Sequence, residues 1–292
     1  MFDKYSMYKR SVSKSKQNVC VVIPVYKVRV SKSEESSLKA CISILSDFPL
    51  CFVCSEFLDM TCYDNLVKQR RNTFTLNFEQ IYFDSVAGYN RLLMSLSFYQ
   101  KFSNFKFMLV YQLDAFVFKD ELSEWCDRNF DYIGAPWMDD IKDVPYYRTK
   151  HKIGNGGFSL RKISYCLKVL KCKTPFLSVR SLLREYASLK PLQWLTRLPL
   201  ICMRIIGYRN TVKYYVKHLE MNEDIFWSVF CSYSWFGVFK PDFMLGLRFA
   251  FEREPRLLYK INDMMLPFGC HAWEKYDKEF WKAHIPELSK IQ

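Results

Sequence analysis

The hydrophobic positions along the chain change period several times, and each change marks an element. Residues 19–25, VCVVIPV, form a continuous apolar run rich in β-branched types. That is the pattern of a strand buried on both faces of a parallel sheet, and Pro24 sets its end. Residues 34–46 place Leu38, Cys41, Ile42 and Leu45 at helical spacing, and PLCFVC at 49–54 predicts a second short strand. Strand, helix, strand is the unit of a parallel sheet. Residues 62–83 carry no clear period. Gly88 to Phe102 predicts one helix, with Leu92, Leu93, Leu96 and Tyr99 on a shared face. FKFMLVY at 105–111 is the most sharply defined buried strand, and Asp114 follows at its C-terminal end. A helix is expected around 120–127, a short strand within 130–137, a glycine-rich turn at 153–162 running into a strand or helix start, and then a helix over 162–170. Residues 175–217 are basic and amphipathic and predict an insertion. NEDIFWSVFCS at 222–232 predicts a helix with acidic residues in its first turn, where the helix dipole favours them. Trp235–Phe239 and Leu245–Phe251 predict strands. The expected fold class is α/β, with a central, mostly parallel mixed sheet. A single domain over 18–285 would follow a flexible basic arm at 1–17. Ligands of such sheets bind beyond the C-terminal ends of the strands, which is where Asp114 falls.

Composition narrows the function classes. At 292 residues, half hydrophobic and 17% aromatic, the chain can bury a sizeable core and is too apolar for a disordered protein. The N-terminus lacks the apolar centre of a signal peptide, and no window approaches a membrane span. The expected location is therefore cytoplasmic. Of eleven cysteines, Cys20, Cys51, Cys54, Cys166 and Cys231 sit in apolar runs. The one CxxC, Cys51 to Cys54, would face opposite sides of a strand. Free buried thiols are expected rather than disulfides or a zinc site. The net charge is +13, and residues 148–217 hold sixteen Lys and Arg against Glu185 alone. A charge so localised points to a polyanionic partner: a membrane surface, a nucleic acid or a phosphate-bearing substrate.

Four segments carry candidate chemistry. In YQLDAFVF (111–118), Asp114 is stranded between apolar runs and needs a partner, either a divalent cation or a backbone turn. In GNGGFSLR (154–161), Gly156 and Gly157 permit either a tight turn or close approach of backbone to a ligand. In NED (222–224), one carboxylate can cap the helix while the other faces a cleft as a general base. In PFGCHAW (267–273), His271 is either a metal ligand or a hydrogen-bonded core residue. No HExxH and no GxSxG exists, which argues against a catalytic serine or cysteine hydrolase.

Taken in order, VVIPVYK (21–27), GYNRLLMS (88–95), YQLDAFVF, FDYIGAPW (130–137), IGNGGFSLR (153–161), NEDIFW (222–227) and LPFGCHAW (266–273) resemble the DUF5672 family of bacterial proteins. That family is itself similar to GT-A-fold glycosyltransferases, and the likeness spans about residues 19–276. The resemblance implies a GT-A-like fold and a nucleotide-sugar donor. It implies transfer to a hydroxyl of a glycan or lipid-linked acceptor, in bacterial surface polysaccharide synthesis. Mn²⁺ or Mg²⁺ would be held by Asp114, the last position of a DxD-like segment in which Gln112 replaces the first Asp, together with His271. Pro24, Tyr26, Asn90, Arg91, Gln112, Asp114, Asn155, Gly156 and Gly157 would line the donor site. Asp224, with Glu223 beside it, inherits the place from which inverting enzymes draw their base, and a retaining enzyme is the alternative. Two other readings draw on the same residues: a catalytically degenerate interaction module, and a nucleic-acid-binding protein resting on the net charge and the aromatics. Nucleic acid is not among the expected partners.

The insertion adds an expectation about place. If helical around Pro199, it would gather Leu195, Leu198, Ile201, Cys202, Ile205 and Ile206 on one apolar face, with Arg197, Arg204 and Arg209 toward its edges. Such a segment suits the interface of an anionic membrane, and predicts peripheral attachment to the inner face of the cytoplasmic membrane.

Overall fold

The computed structural model describes residues 18–139, 152–186, 190–218 and 221–285. The basic arm at 1–17 lies outside them. The first half of the chain runs β1 (Val19–Pro24), α1 (Lys32–Ile44), β2 (Leu50–Ser55), α2 (Thr61–Leu66), β3 (Thr73–Phe78), α3 (Val86–Leu93), α4 (Leu96–Lys101), β4 (Phe107–Tyr111), β5 (Phe116–Val117), α5 (Leu122–Asp127) and β6 (Tyr132–Gly134). The second half runs β7 (Phe158–Lys162), α6 (Ile163–Leu170), α7 (Val179–Tyr186), α8 (Pro191–Ile205), α9 (Val212–His218), α10 (Glu223–Ser228), α11 (Phe243–Phe249), β8 (Ala250–Phe251), α12 (Pro255–Ile261), β9 (Gly269–Cys270) and α13 (Lys278–Lys282).

The main sheet has the strand order β3-β2-β1-β4-β7-β6. The first four of these strands pair in parallel, and β7 pairs antiparallel with both β4 and β6. Every residue of β1, β2 and β4 is buried, which requires cover on both faces and explains their unbroken apolar sequences. β3, at the edge, is only partly covered, and its alternating TFTLNF lies in the stretch whose period was unreadable. From β1 the chain winds outward through β2 to β3, then returns to add β4 on the other side of β1. The C-terminal ends of β1 and β4 therefore border the topological switch point of the sheet, the place where such sheets open a crevice.

Two short antiparallel connections fold the later chain back onto that point. β7 pairs with β4 in the register Tyr111↔Phe158, so Gly157 lies beside Gln112, whose N–H donates to the Gly157 carbonyl at 2.8 Å. A second, three-stranded sheet has the order β5-β9-β8. Its pairing of Phe116 with Cys270, and of Phe251 with Cys270, sets Asp114, Glu252 and His271 just beyond adjoining strand ends.

Several elements depart from the sequence reading, each for a local reason. The single helix expected over 88–102 is two, because Ser95 caps a new start by accepting the Phe98 N–H at 3.2 Å. Leu245–Phe251 is not a strand. Asp242 accepts the Leu245 N–H at 2.8 Å and starts α11, so only Ala250–Phe251 remains extended. Trp235–Phe239 forms no strand either; Trp235 and Phe239 are exposed. The helix over 222–232 is a short α10 followed by a 3₁₀ turn at Phe230–Tyr233. All eleven cysteines are free thiols. Cys51 and Cys54 are buried in β2, and burial pushes thiols such as Cys41 up to about 12, so that one is a neutral packing group. No helix among the described residues is long and apolar enough to cross a membrane.

Candidate functional site

The sequence segments that bear chemistry meet at the switch point. Pro24 is buried at the end of β1, while Tyr26, just past it, stands 64% exposed at the rim. Lys27 follows and pairs with Glu34 at 2.8 Å. Across the crevice, Asp114 lies three residues beyond β4, and its side chain is 47% exposed, open to a ligand. Its Oδ1 is 3.3 Å from His271 Nε2. Burial works to raise the Asp114 carboxyl, but the hydrogen bond and charge of His271 outweigh it and hold the pKa below its usual value. The imidazole is clamped from both sides. Nδ1 faces Glu252 Oε1 at 3.3 Å, and Nε2 also approaches Gln112 Oε1 at 3.1 Å. Burial alone would lower the His271 pKa, yet Asp114 and Glu252 together raise it to about 10. Gln112 in turn donates to the Tyr89 hydroxyl at 3.0 Å, and Asn155 donates to Glu252 at 2.8 Å.

The second half of the site is built on α10. Asp224 is half-buried, with its carboxyl closely surrounded by protein. Its Oδ2 accepts the Gly156 N–H at 3.2 Å, and its Oδ1 accepts the Ile225 N–H at 2.7 Å. Burial, reinforced by the Glu223 charge, raises its pKa to about 7. Glu223 itself is buried and turned inward. Arg161 on β7 grips both of its carboxylate oxygens at 2.7 Å. The remaining Arg161 bonds go to Ser159, the Tyr99 hydroxyl and the Gly156 carbonyl. Five bonds satisfy a charge that is wholly buried, which is the condition for tolerating it there. Asn90 on α3 accepts the Glu223 N–H at 3.3 Å and donates to Asn222 at 3.1 Å, fixing the start of α10. Arg91 is exposed on α3, and no hydrogen bond or ion pair among the described residues joins it to the site.

Two adjacent glycines join the halves. A side chain on Gly156 would strike Glu223 Oε1 and approach Asp224; one on Gly157 would strike the His271 ring and come within 2.7 Å of Gln112 Oε1. The glycines at this spacing therefore serve close packing between two functional groups. Asn155 completes the turn by accepting the Gly157 N–H at 3.1 Å. Residue-level reading missed Glu252, Arg161, Tyr89, Asn222 and Lys27. Glu252 carried a signal: like Asp114 it is a lone carboxylate at the end of an apolar run, FAFE.

Asp114 and His271 are the pair that can hold a cation, which would take the place of the proton they share. A six-coordinate Mg²⁺ with bonds of about 2.1 Å separates neighbouring ligands by about 3.0 Å, close to the 3.3 Å between Oδ1 and Nε2. A carboxylate oxygen and an imidazole nitrogen suit Mn²⁺ or Mg²⁺, and Glu252 on the far ring nitrogen orients the imidazole. The residues fit such an ion as part of a coordination shell that a diphosphate would complete. Among the described residues, no group of three or more His, Cys, Asp or Glu is placed to hold a metal ion.

A family model matches residues 73–271, described as "Protein of unknown function (DUF5672)". The chain belongs to the DUF5672 family. Comparison with curated protein sequences finds no match. Among solved structures, the chain is similar to galactosyltransferase LgtC in complex with donor and acceptor sugar analogs. Identity is 10%, coverage is 93% of this chain and 95% of LgtC, and the TM-score is 0.50. An active-site mutant of LgtC gives a TM-score of 0.51 at 11% identity, with the same coverage. It is also similar to the mannosyltransferase Ktr4p from S. cerevisiae, at 8% identity and a TM-score of 0.39. There 54% of this chain is covered, and it spans 60% of Ktr4p. The likeness to LgtC shows the fold of this DUF5672 member: mixed α/β with a largely parallel central sheet, resembling GT-A glycosyltransferase architecture.

Proposed function

We propose that the protein is a glycosyltransferase that moves a sugar from a nucleotide-sugar donor to a hydroxyl of a glycan or lipid-linked acceptor. The setting would be the synthesis of a bacterial surface polysaccharide. One observation carries the reading: at the switch point, Gly156 and Gly157 set a carboxylate with its pKa near 7 beside a carboxylate–imidazole pair suited to a divalent ion. The LgtC structure, with its donor and acceptor sugar analogs, supports the same class of ligand.

In this reading Asp114 and His271 would hold Mn²⁺ or Mg²⁺ beside the donor diphosphate, and when bound it would supply positive charge to offset what develops on the departing diphosphate. Tyr26 and Lys27 stand at the rim past β1, where a nucleotide would lie, and Asn155 with the Gly156–Gly157 backbone lines the sugar side. Asp224 is the base. The acceptor oxygen attacks the anomeric carbon, its proton passes to Asp224, and the bond from that carbon to the diphosphate oxygen breaks. The two N–H groups on Asp224 fix both oxygens while leaving each a free lone pair for the incoming proton. Glu223, bound to Arg161, holds the start of α10 in place and raises the Asp224 pKa.

The test is a thermal-shift screen of UDP-, GDP-, CMP- and dTDP-sugars with and without Mn²⁺, followed by turnover assays with the donor found. Asp114→Asn should abolish the Mn²⁺-dependent shift while the fold is kept. Asp224→Asn should keep the shift and lower turnover roughly 10² to 10⁴-fold. Wild-type donor binding in the Asp114 variant overturns the assignment.

A further inference from the structure

The insertion carries an apolar face that overlaps the one read from the sequence: Leu195, Leu198, Cys202 and Ile206 are exposed, whereas Ile201 is buried and Ile205 half-buried. Ile201 points inward and is 1% exposed. Arg204 also points inward, to Glu185, Tyr186 and Tyr215 at 2.7, 2.8 and 2.9 Å. It is an anchor of α8, not an edge charge. Besides Gln193, Thr196, Arg197 and Leu198, α8 turns to solvent Leu192, Leu195, Pro199, Cys202, Met203 and Ile206. These fall at the 3.6-residue spacing of a single helical face. Leu192, Leu195 and Ile206 are 75%, 66% and 80% exposed. A surface helix ordinarily turns its apolar stripe to the core and its polar side to water; α8 buries Ile201 and half-buries Trp194, Leu200 and Ile205 around the Arg204 anchor, yet leaves a second apolar stripe outside. Scattered exposed apolar residues need no explanation, but a contiguous stripe running the length of a 15-residue helix marks an interaction surface.

We infer that the outer face of α8 docks on an anionic lipid bilayer. Charge selects this occupant. Lys190 stands at one end of the stripe and Arg209 at the other, with Arg197 exposed along the helix. None of the three forms an ion pair among the described residues. Glu185, the one carboxylate of the 148–217 region, is already taken by Arg204. A second copy of a chain with net charge +13 would bring like charges together, and nucleic acid has no use for an aliphatic stripe. An apolar face bordered by unpaired cations matches a layer of anionic headgroups over acyl chains. α10 is the next helix after the insertion, so docking would orient the Asp224 side of the site toward that layer.

Lipid binding requires no sugar donor, so this surface is tested apart from the transferase reading. Full-length protein is sedimented with vesicles of phosphatidylcholine alone or mixed with phosphatidylglycerol, at ~50 mM and ~500 mM salt. Binding is expected on the anionic vesicles at low salt and is expected to fall with salt. Lys190→Gln, Arg197→Gln and Arg209→Gln should each weaken it about fivefold. The double variant Leu195→Gln/Ile206→Gln should weaken it at least about tenfold. All of these side chains are exposed, so the thermal midpoint should stay at the wild-type value. No binding to anionic vesicles at ~50 mM salt overturns the proposal, as does full binding by the double variant. A wild-type dimer in analytical ultracentrifugation that the double variant loses also overturns it, in favour of self-association.

Discussion

Burial and the neighbouring Glu223 carboxylate hold Asp224 protonated up to about pH 7, and this has two consequences at the residue scale. As a base, Asp224 must be ionised, so turnover should rise with pH along a limb with an apparent pKa of about 7. The same shift bears on stability. Below about pH 4 both the folded and unfolded carboxyl carry the proton. Between about 4 and 7 the folded state keeps it and the unfolded state loses it, so the stabilising contribution is lost as pH rises through that window. The effect is on the order of a few kcal/mol at most, and Asp224→Asn should remove it. Melting midpoints of the two proteins should therefore diverge from pH 4 to 7, with the variant relatively more stable at pH 7. Parallel curves would mean that Asp224 has an ordinary carboxylate pKa. Glu223 shows why its neighbour is the better base: Arg161 occupies both of its oxygens. Taken by themselves, the residues left open which acid caps the helix and which faces a cleft; the family resemblance pointed to Asp224. The inward turn of one against β7 separates them.

At the scale of elements, short pairings do the positioning. β5, β8 and β9 have two residues each, yet they bring together Asp114, Glu252 and His271 from three distant parts of the chain. Two-residue strands leave no periodic trace, and that is why Glu252 escaped a reading based on period. The GNGG turn was legible as a turn, but its purpose was not, because the atoms it makes room for come from residues 112, 223, 224 and 271. Gly157→Ala should push the His271 ring aside. It should abolish any Mn²⁺-dependent donor shift while moving the melting midpoint much less, since β7 itself is undisturbed. Mn²⁺ titration by calorimetry checks this, and unaltered Mn²⁺ affinity would count against His271 as a ligand. Elements whose start signals are local side chains, such as α11 with its cap at Asp242, do carry a trace in the sequence.

At the scale of the molecule, stability should be graded from the sheet centre outward. β1 and β4 are neighbours in mid-sheet and buried at every position, whereas β3 is a half-covered edge. In native-state hydrogen exchange, the amides of Val19–Ile23 and Phe107–Tyr111 should exchange slowest. Those of β3 and of the solvent-facing α8 should exchange orders of magnitude faster. Equal protection across β3 and β4 would contradict the topology. The switch point lies between the two most protected strands, so the candidate site rests on the most rigid part of the fold while its loops stay free to meet a ligand. By itself the sequence determined the parallel α/β class, the strands β1, β2 and β4, the basic insertion, and the set of segments that carry chemistry. Those follow from period and composition, which are properties of neighbours along the chain. The tertiary structure decided which carboxylate faces the crevice, that Glu252 backs His271, that Arg204 anchors α8, and which side of α8 is left to solvent. Each of those depends on the register between strands and on the packing of one helix against others, contacts between residues up to 159 positions apart, as between Gln112 and His271.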